Sequence, residues 1–381
     1  MYSVEAYGKM LKDTTRMEAY HEAIRRAVQP GSVVLDIGTG TGIHALMAAR
    51  AGARHVYAVE PADSVLLAPA VARANGLEDR ITFIQDLSTR ITLPERADVI
   101  VSDLHGTVPW YQQHIPTIVD ARARFLKPEG ILIPQHDSVY MAAVESPELY
   151  AAYSDPWQEK PFGFDMGYIS SRLTNIYTRG RVGREGFLSE ITPVGELDYR
   201  TIVDPNISVS VELSPIRPGT MHGFVVWFDT QVFQDIRLTS APFEPEISYG
   251  SAFFPLSEPV ALDPSATVHL EWRGVLQGEG YVWIWNSQVK GEDGQVLASF
   301  QQNSLAVQLT SMDRLRRRAP SHRPELSAKG ERDRQILNLM TDGRSLEEIA
   351  RETHLRLPES FSSEEEALER VRDLSERYGK S

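Results

Sequence analysis

The segment that most restricts the fold is VVLDIGTGTGIHAL, at residues 33–46. A short apolar run reaches Asp36, three glycines follow at alternate positions, and a helix-forming run begins. The glycines, at Gly38, Gly40 and Gly42, permit a sharp turn that a ligand can approach closely. The amino terminus of the following helix favours a carboxylate or a phosphate. The segment therefore predicts a strand–turn–helix unit at the ligand-binding edge of an α/β sheet.

The pattern of apolar residues changes along the chain and indicates several structural parts. Up to about residue 140, short apolar runs alternate with helical runs, which is typical of βαβ units in a parallel sheet. From about residue 195, period-two alternation interrupted by Pro and Gly predicts an antiparallel sheet, sandwich or barrel. Residues 167–195, between these parts, carry mixed signals.

The carboxyl-terminal part has a different composition from the rest. Residues 311–330 are basic, contain Pro and have few apolar residues, which predicts a linker. Residues 331–381 contain three short helical patterns, one capped by Ser345 and another by Ser362 or Ser363. The sequence therefore predicts a small helical or winged-helix domain at this end.

Charge and residue content restrict the partners of the chain. It has 381 residues, a net charge of −13 and no cysteine. The negative charge disfavours nucleic acid as a partner. The lack of cysteine excludes disulfides, thiolate metal sites and a cysteine nucleophile, and it fits a cytoplasmic location. No signal peptide and no membrane span are expected, because the chain has no apolar run of the length that either requires.

Two more acids follow the next two predicted strands. Glu60 ends the second strand, 18 residues after Gly42, and Asp86 ends the third. An acid in the first of these places can accept the hydroxyl protons of a ribose, and Asp86 is placed to meet an adenine amino group. A dinucleotide fingerprint reads G-x-G-x-x-G, whereas this turn reads G-x-G-x-G after Asp36. It resembles motif I of class I S-adenosylmethionine-dependent methyltransferases; a nicotinamide dehydrogenase and a glycine turn without a ligand are the alternatives.

Segments outside the glycine turn resemble protein arginine methyltransferases. They are AYGKMLKDTTRMEAYHEAI near the amino terminus, VEP after the second strand, and PFGFDMGYI at residues 161–169. The resemblance covers about residues 2–305 and implies a divergent bacterial member of the family. It implies that helices in residues 1–28 cover S-adenosylmethionine, with Met10 beside the sulfonium and Arg16 paired with the methionine carboxylate.

The same resemblance implies an order of domains. Residues 29–136 are expected to form a Rossmann-like domain that binds the cofactor, and residues 137–310 a β-barrel substrate domain. Within the barrel, residues 167–195 occupy the place of the family's dimerisation arm. A homodimer is therefore implied, with an ordinary surface excursion as the alternative. The cofactor contacts expected of this chain are Met10, Arg16, Asp36, Gly38, Gly40, Gly42, Glu60, Asp86 and Asp103.

The loop VSDLHGTVPWYQQ, at residues 101–113, departs from the family. Family members carry two glutamates here, nine residues apart, which clamp a planar guanidinium and direct one nitrogen at the methyl group. Asp103 and Gln112 occupy those positions in this chain. The clamp therefore has one negative charge instead of two. A unit charge about 4 Å away is worth about 4 kcal/mol at an effective dielectric constant of about 20, so the preferred substrate or turnover itself is expected to change.

Other predicted catalytic residues come from the same loop and from the barrel. The family's Thr-His-Trp signature is replaced by Ile-Ser-Tyr, which keeps an aromatic wall at Tyr249 but has no histidine. His105 is a candidate base or orienting group in its place, with a solvated loop side chain as the alternative. Trp110 is expected either to line a pocket for a cation or to belong to the core.

Residues 331–381 resemble the PqqD-like winged-helix domain of pyrroloquinoline-quinone biosynthesis. The resemblance rests on the run ILNLMTDGRSLEEIA and on the final amphipathic helix. Such domains hold a precursor peptide, usually by adding a strand to a sheet edge; a helical cap or a further dimer contact is the alternative. Three functions stay open: an N-methyltransferase of a peptide or protein side chain, a methyltransferase of a small guanidino or amino metabolite, and a non-catalytic cofactor-binding scaffold.

Overall fold

The structure is a computed structural model that describes residues 4–308 and 311–379. These residues form two compact units, with the division after residue 308. The ends of three predicted domains, at residues 1–3, 309–310 and 380–381, lie outside the described residues. No helix in the two described ranges is long and apolar enough to cross a bilayer.

The amino-terminal half of the larger unit is a parallel sheet flanked by helices. The strand order is β3-β2-β1-β4-β5, and every pair is parallel. The chain leaves β1 toward β2 on one side and returns to β4 on the other, so a crevice opens at the carboxyl ends of β1 and β4. The elements are α1 (Val4–Leu11), α2 (Thr14–Ala27), β1 (Val33–Ile37), α3 (Ile43–Arg50), β2 (His55–Val59), α4 (Ala68–Ala74), β3 (Ile81–Ile84), β4 (Ala97–Ser102), α5 (His114–Phe125) and β5 (Leu126–Ile133).

Two antiparallel sheets form the rest of the larger unit. One has the order β7-β12-β10-β6-β8, with β11 paired to β10, and the other has the order β15-β14-β13-β9. Their elements are β6 (His136–Val144), α6 (Pro147–Gln158), α7 (Gly167–Leu173), β7 (Thr178–Arg179), β8 (Thr192–Asp198), β9 (Ile207–Leu213), β10 (Gly219–Phe233), β11 (Ile236–Thr239), β12 (Ala252–Leu262), β13 (Thr267–Gln277), β14 (Gly280–Lys290) and β15 (Val296–Asn303).

Aromatic residues from the segments with period-two alternation form the interior between the two antiparallel sheets. The ring of Phe254, on β12, lies edge-on to Trp272 and Trp285, with centroids 5.8 and 5.3 Å apart. All three side chains are fully buried. This packing is continuous with the core of the parallel sheet, so the two halves share one hydrophobic interior.

The smaller unit is helical and contains α8 (Met312–Arg318), α9 (Ala328–Leu339), α10 (Leu346–Arg356) and α11 (Glu364–Tyr378). Ser345 forms a capping box with Glu348 at the start of α10, and Ser363 caps α11, as the sequence predicts. Residues 311–379 include no strand. They therefore fit the predicted small helical domain and not the predicted winged-helix domain.

The predicted linker at residues 311–330 is not wholly irregular, because α8 lies within it. The Ser311 hydroxyl accepts a hydrogen bond from the Arg314 amide at 3.2 Å and caps this helix. Leu and Arg favour a helix, and Pro320 follows the end of α8. The low apolar content that suggested a linker is therefore compatible with an exposed helix.

Candidate functional site

The glycine turn joins the end of β1 to the start of α3. Gly38, Gly40 and Gly42 have φ angles of +76°, +56° and +94°, in the left-handed region that favours glycine. The space around the turn is also restricted. A Cβ at Gly38 would lie 2.6 Å from the Leu104 side chain, and one at Gly40 would overlap the ring of Tyr7. The loop after β4 and helix α1 therefore both pack closely against the turn.

The acids of the first three strands lie around this turn. Asp36 is 1% exposed, accepts a hydrogen bond from the Thr39 hydroxyl at 2.5 Å, and has its other oxygen, Oδ1, buried without a partner among the described residues. Burial raises the pKa of Asp36 to about 7. Glu60 is buried, and its carboxylate accepts hydrogen bonds from the amides of Gly40 at 3.2 Å and Ala62 at 2.9 Å. Glu60 is thus fixed against the turn.

Asp86 and Met10 are placed less tightly than the other predicted cofactor residues. Asp86 is half-buried after β3 and accepts the amide of Leu87 at 2.7 Å. Met10 is half-buried near the end of α1, and its carbonyl accepts a hydrogen bond from Arg16 at 3.2 Å. Both therefore lie on segments that adjoin the crevice, with side chains that solvent reaches.

A buried ion pair joins α2 to the end of β4. The guanidinium of Arg16 donates through Nη1 to Oδ2 of Asp103, and the two side chains are 9% and 6% exposed. Asp13 caps α2 by accepting the Arg16 amide at 3.0 Å, which holds the base of that side chain. Nε of Arg16 is buried without a hydrogen-bond partner among the described residues. The pair links the helix that covers the crevice to the strand end that lines it.

Asp103 has partners on both carboxylate oxygens. Oδ1 accepts the hydroxyl of Tyr249 at 2.6 Å and lies 3.6 Å from Nδ1 of His105. Burial alone would raise the pKa of Asp103, but Arg16 and His105 hold it well below its usual range. Asp103 is therefore an ionised carboxylate whose charge is already balanced by two cationic side chains.

His105 is buried and lies between two carboxylates. Its side chain is 0% exposed, and Nε2 lies 2.9 Å from Oδ2 of Asp137, which also accepts the hydroxyl of Tyr199. The His105 ring stacks on Phe228 with centroids 5.2 Å apart. Burial alone would lower the pKa of His105, but Asp137 and Asp103 raise it to about 9. The solvated alternative for this histidine is therefore wrong.

The second half of the loop does not converge on Asp103. Gln112 is exposed, has a φ of +43°, and donates its amide to the hydroxyl of Tyr111 at 3.0 Å. Trp110 is 3% exposed and lies edge-on to Trp272 of the barrel at 5.8 Å, so it belongs to the core. Of the four predicted catalytic residues, the structure brings together Asp103, His105 and Tyr249, while Gln112 faces outward. The burial of Trp110 fixes the loop between them, with Gln112 on its solvent side.

Comparisons with known proteins show which family the chain belongs to. Residues 6–151 match the model of the ribosomal protein L11 methyltransferase family, and residues 135–273 match that of the arginine methyltransferase oligomerization subdomain. Protein arginine N-methyltransferase 1 of Schizosaccharomyces pombe is 32% identical over 245 residues, which are 62% of this chain and 72% of the relative. The chain belongs to the protein arginine methyltransferase family.

Other relatives extend the comparison. Probable protein arginine N-methyltransferase 6 of Arabidopsis thaliana is 32% identical over 238 residues, so the match spans 60% of this chain but only 54% of that relative. The crystal structure of protein arginine methyltransferase 10 of Arabidopsis thaliana covers 79% of this chain and 97% of its own, with a TM-score of 0.69 and 27% identity. These findings confirm the predicted family and its fold class.

Sequence reasoning missed several residues of the site. Asp137, Tyr199 and Tyr20 are 0% exposed; Asp137 holds His105, and the hydroxyl oxygens of Tyr20 and Tyr249 lie 3.3 Å apart. One signal was available for Asp137, because it lies in phase with the buried Val139 and Met141 along β6. A carboxylate on the buried face of a strand requires a partner.

Proposed function

We propose that this protein is an S-adenosylmethionine-dependent N-methyltransferase that acts on a side-chain nitrogen of a peptide or protein. The observation that carries the proposal is the ionised Asp103, fixed by Arg16 and Tyr249 at the crevice between the glycine turn and the barrel. A carboxylate so placed can accept a hydrogen bond from the acceptor nitrogen and direct its lone pair.

The residues around the crevice fit the methyl donor. Arg16 is a buried cation whose Nε–H makes no hydrogen bond among the described residues, with Oδ2 of Asp13 3.7 Å away, and a guanidinium of this kind suits a methionine carboxylate. Glu60 has an acceptor site left on each carboxylate oxygen for the ribose hydroxyls, and Asp86 lies at the next strand end for the adenine amino group. When bound, S-adenosylmethionine supplies its methyl group as an electrophile.

The protein's own residues orient the acceptor and keep Asp103 charged. Tyr249 and Arg16 fix the carboxylate, and Phe228 and Trp110 keep water from the side of the loop that faces the barrel. His105 acts as an orienting cation in this proposal, because its raised pKa leaves it protonated near neutral pH. A base role is disfavoured for the same reason.

A second candidate acceptor is a small guanidino or amino metabolite that is less cationic than arginine. Gln112 is neutral and turned to solvent, and the charge of Asp103 is already balanced by Arg16 and His105. The site therefore has less negative charge to offer a guanidinium than two free carboxylates would. A non-catalytic scaffold is the third alternative.

Isotope-labelled S-adenosylmethionine and mass spectrometry separate these alternatives. The full chain and a chain lacking residues 311–381 are incubated with an arginine-rich peptide, a lysine-rich peptide, free arginine and free amines. Labelled peptide supports the proposal, and loss of that label on deletion assigns peptide delivery to the carboxyl-terminal unit. Label on free metabolites alone, retained after the deletion, supports the second candidate. Cofactor binding without any label supports a scaffold.

The double variant Asp103→Glu with Gln112→Glu tests the acceptor class directly. It restores the two glutamates of the family pattern and adds one negative charge. If arginine methylation appears only in this variant, the native loop is not an arginine clamp. Equal methylation by the native and double-variant proteins would show that the second carboxylate is dispensable.

A homodimer is part of this proposal. The segment around the start of α7 exposes large apolar side chains, with Phe162, Phe164 and Tyr168 at 100%, 70% and 69%. Leu66 and Leu67, beside α4, are also 64% and 46% exposed. A head-to-tail interface joins different surfaces of the two subunits, and the exposure of these two patches supports them as those surfaces. The apolar segment begins before the predicted arm at residues 167–195.

Other predictions stay sequence-based. The PqqD-like role of residues 331–379 is proposed here only as peptide binding on a helical surface, because the described part of that unit has no sheet edge to extend. The cytoplasmic location and the bacterial origin also stay predictions from the sequence.

A further inference from the structure

A groove lies on the barrel, on the other side of β10 from the His105 cluster. It has a volume of about 300 Å³ and is lined by Tyr140, Ile191, Trp227, Asp229, Phe243 and Glu244. We call it the aromatic groove. No residue of the proposed methyl-transfer site lines it.

Strand alternation separates the groove from that site. Phe228 stacks on His105 and Thr230 donates a hydrogen bond to Asp137, so these two β10 residues face the site. Their neighbours Trp227 and Asp229 point to the opposite face of the sheet. The groove is therefore one strand away from the site but opens on a different surface.

Aromatic rings form the walls of the groove. Tyr140 and Trp227 are cross-strand neighbours with ring centroids 5.9 Å apart, and Trp227 lies edge-on to Phe243 at 6.0 Å. The guanidinium carbon of Arg184 lies 3.8 Å from the centroid of Phe243. This contact shows that an aromatic face at the groove accepts a planar cation from the protein itself.

Two carboxylates give the groove its charge. Oδ1 of Asp229 is buried and has no hydrogen-bond partner among the described residues. Burial raises the pKa of Asp229, and Thr239 and Arg237 offset only part of that rise. Glu244 is half-buried in the same groove. An unpaired buried carboxylate oxygen is costly, and an N–H donor from a ligand would satisfy it.

We propose that the aromatic groove binds an arginine or lysine side chain of a polypeptide, away from the residue that is methylated. Aromatic walls with carboxylates are the chemistry that recognises a desolvated cation, and the net charge of −13 favours a basic partner. The role in holding a methylation substrate rests on the proposed function, whereas the binding of a cationic peptide does not.

Calorimetry on the full chain tests the groove with a synthetic peptide of three arginines spaced by glycine and serine, and with its citrulline counterpart. All titrations keep Asp103 intact, because its buried pair with Arg16 stabilises the fold; the methyl-transfer site is the same in parent and variants, so a difference in affinity between them reports on the groove. We expect binding of the arginine peptide to weaken about tenfold in Asp229→Asn with Glu244→Gln, the loss that charge-assisted hydrogen bonds typically give. The citrulline peptide is expected to bind weakly to both proteins.

A matched control removes two carboxylates elsewhere. Glu212→Gln with Glu292→Gln makes the same change in net charge at exposed positions, and its affinity is expected to stay within twofold of the parent. Glu244→Gln alone, a half-buried substitution, repeats the test if Asp229→Asn lowers the melting temperature. Equal affinity of the parent and groove variants, equal loss in the control, or equal binding of citrulline would overturn the proposal. Methyl transfer is measured separately, so its failure leaves this result intact.

Discussion

Gly40 is the residue of the glycine turn for which substitution has the clearest consequence. Its φ is +56°, and an added Cβ would overlap the ring of Tyr7 on α1. We expect Gly40→Ala to cost about 1–2 kcal/mol in backbone strain and to displace α1 from the crevice. Denaturant unfolding and calorimetry with S-adenosylmethionine should show lower stability and weaker binding.

Gly8→Ala is the matched control for that substitution. Gly8 lies within α1, and no atom lies within 4 Å of an added Cβ. Alanine favours a helix over glycine by about 1 kcal/mol, so this variant should keep or gain stability and bind normally. Wild-type cofactor affinity in Gly40→Ala would show that the turn does not need its glycine there.

The buried His105 gives the protein a specific dependence on pH. Its pKa is about 9 in the folded protein against an ordinary value of 6.5. The folded state therefore holds a proton that the unfolded state releases, and stability should fall as pH rises from about 6.5 to 9. The loss is on the order of 3 kcal/mol. In His105→Gln the fall in stability between about pH 7 and 9 should disappear, while His322→Gln, at an exposed position, should keep it; below about pH 7 the raised pKa of Asp36 gives a fall of its own. Chemical denaturation at several pH values measures both; an unchanged slope in His105→Gln would assign the dependence to another group.

The residues of the site differ in how far the sequence could predict them. The glycine turn, Glu60 and Asp103 follow from local spacing, because strand ends and glycine turns are local features. The pairing of His105 with Asp137 joins residues 32 positions apart across two sheets, and no local pattern specifies such a contact. The prediction that Gln112 is catalytic rested on the residue spacing of the family alone. Its outward position results from the burial of Trp110 against Trp272.

At the scale of elements, the segment between α6 and α7 should control association. Phe162 is fully exposed and Phe164 is 70% exposed, which is costly unless a second copy covers them. We expect Phe162→Ser with Phe164→Ser to convert a dimer to a monomer in sedimentation velocity. Val203→Ser, at a position 72% exposed in the barrel, is the control and should stay dimeric. A wild-type protein that sediments as a monomer would contradict the proposed interface.

The elements themselves were largely predictable. The period-two runs became strands and the capped runs became α10 and α11 because local hydrogen bonding and burial agree there. Helix α8 was missed because it buries no residue, so the apolar pattern that identifies most helices is absent. The prediction of a winged-helix domain failed for a related reason. The sequence resemblance to such a domain rests on its helices and gives no information about a β-hairpin, and residues 311–379 contain none.

At the scale of the whole molecule, the parallel sheet, the barrel and the covering helices all supply residues to the crevice. The sheet supplies the glycine turn and Glu60, α2 supplies Arg16, and the barrel supplies Tyr249 and Asp137. The buried contacts among them mean that the crevice exists only when both halves of the larger unit are folded. A cofactor that binds there should therefore raise the melting temperature of that unit.

Isothermal titration calorimetry of the full chain with S-adenosylmethionine and S-adenosylhomocysteine tests the central claim most directly. We expect saturable heat with one site per chain for both nucleosides, at least tenfold weaker binding in Glu60→Gln because two charge-assisted hydrogen bonds are lost, and no saturation with a nicotinamide dinucleotide. Saturation by the dinucleotide, with no heat from either sulfur nucleoside, would contradict the account.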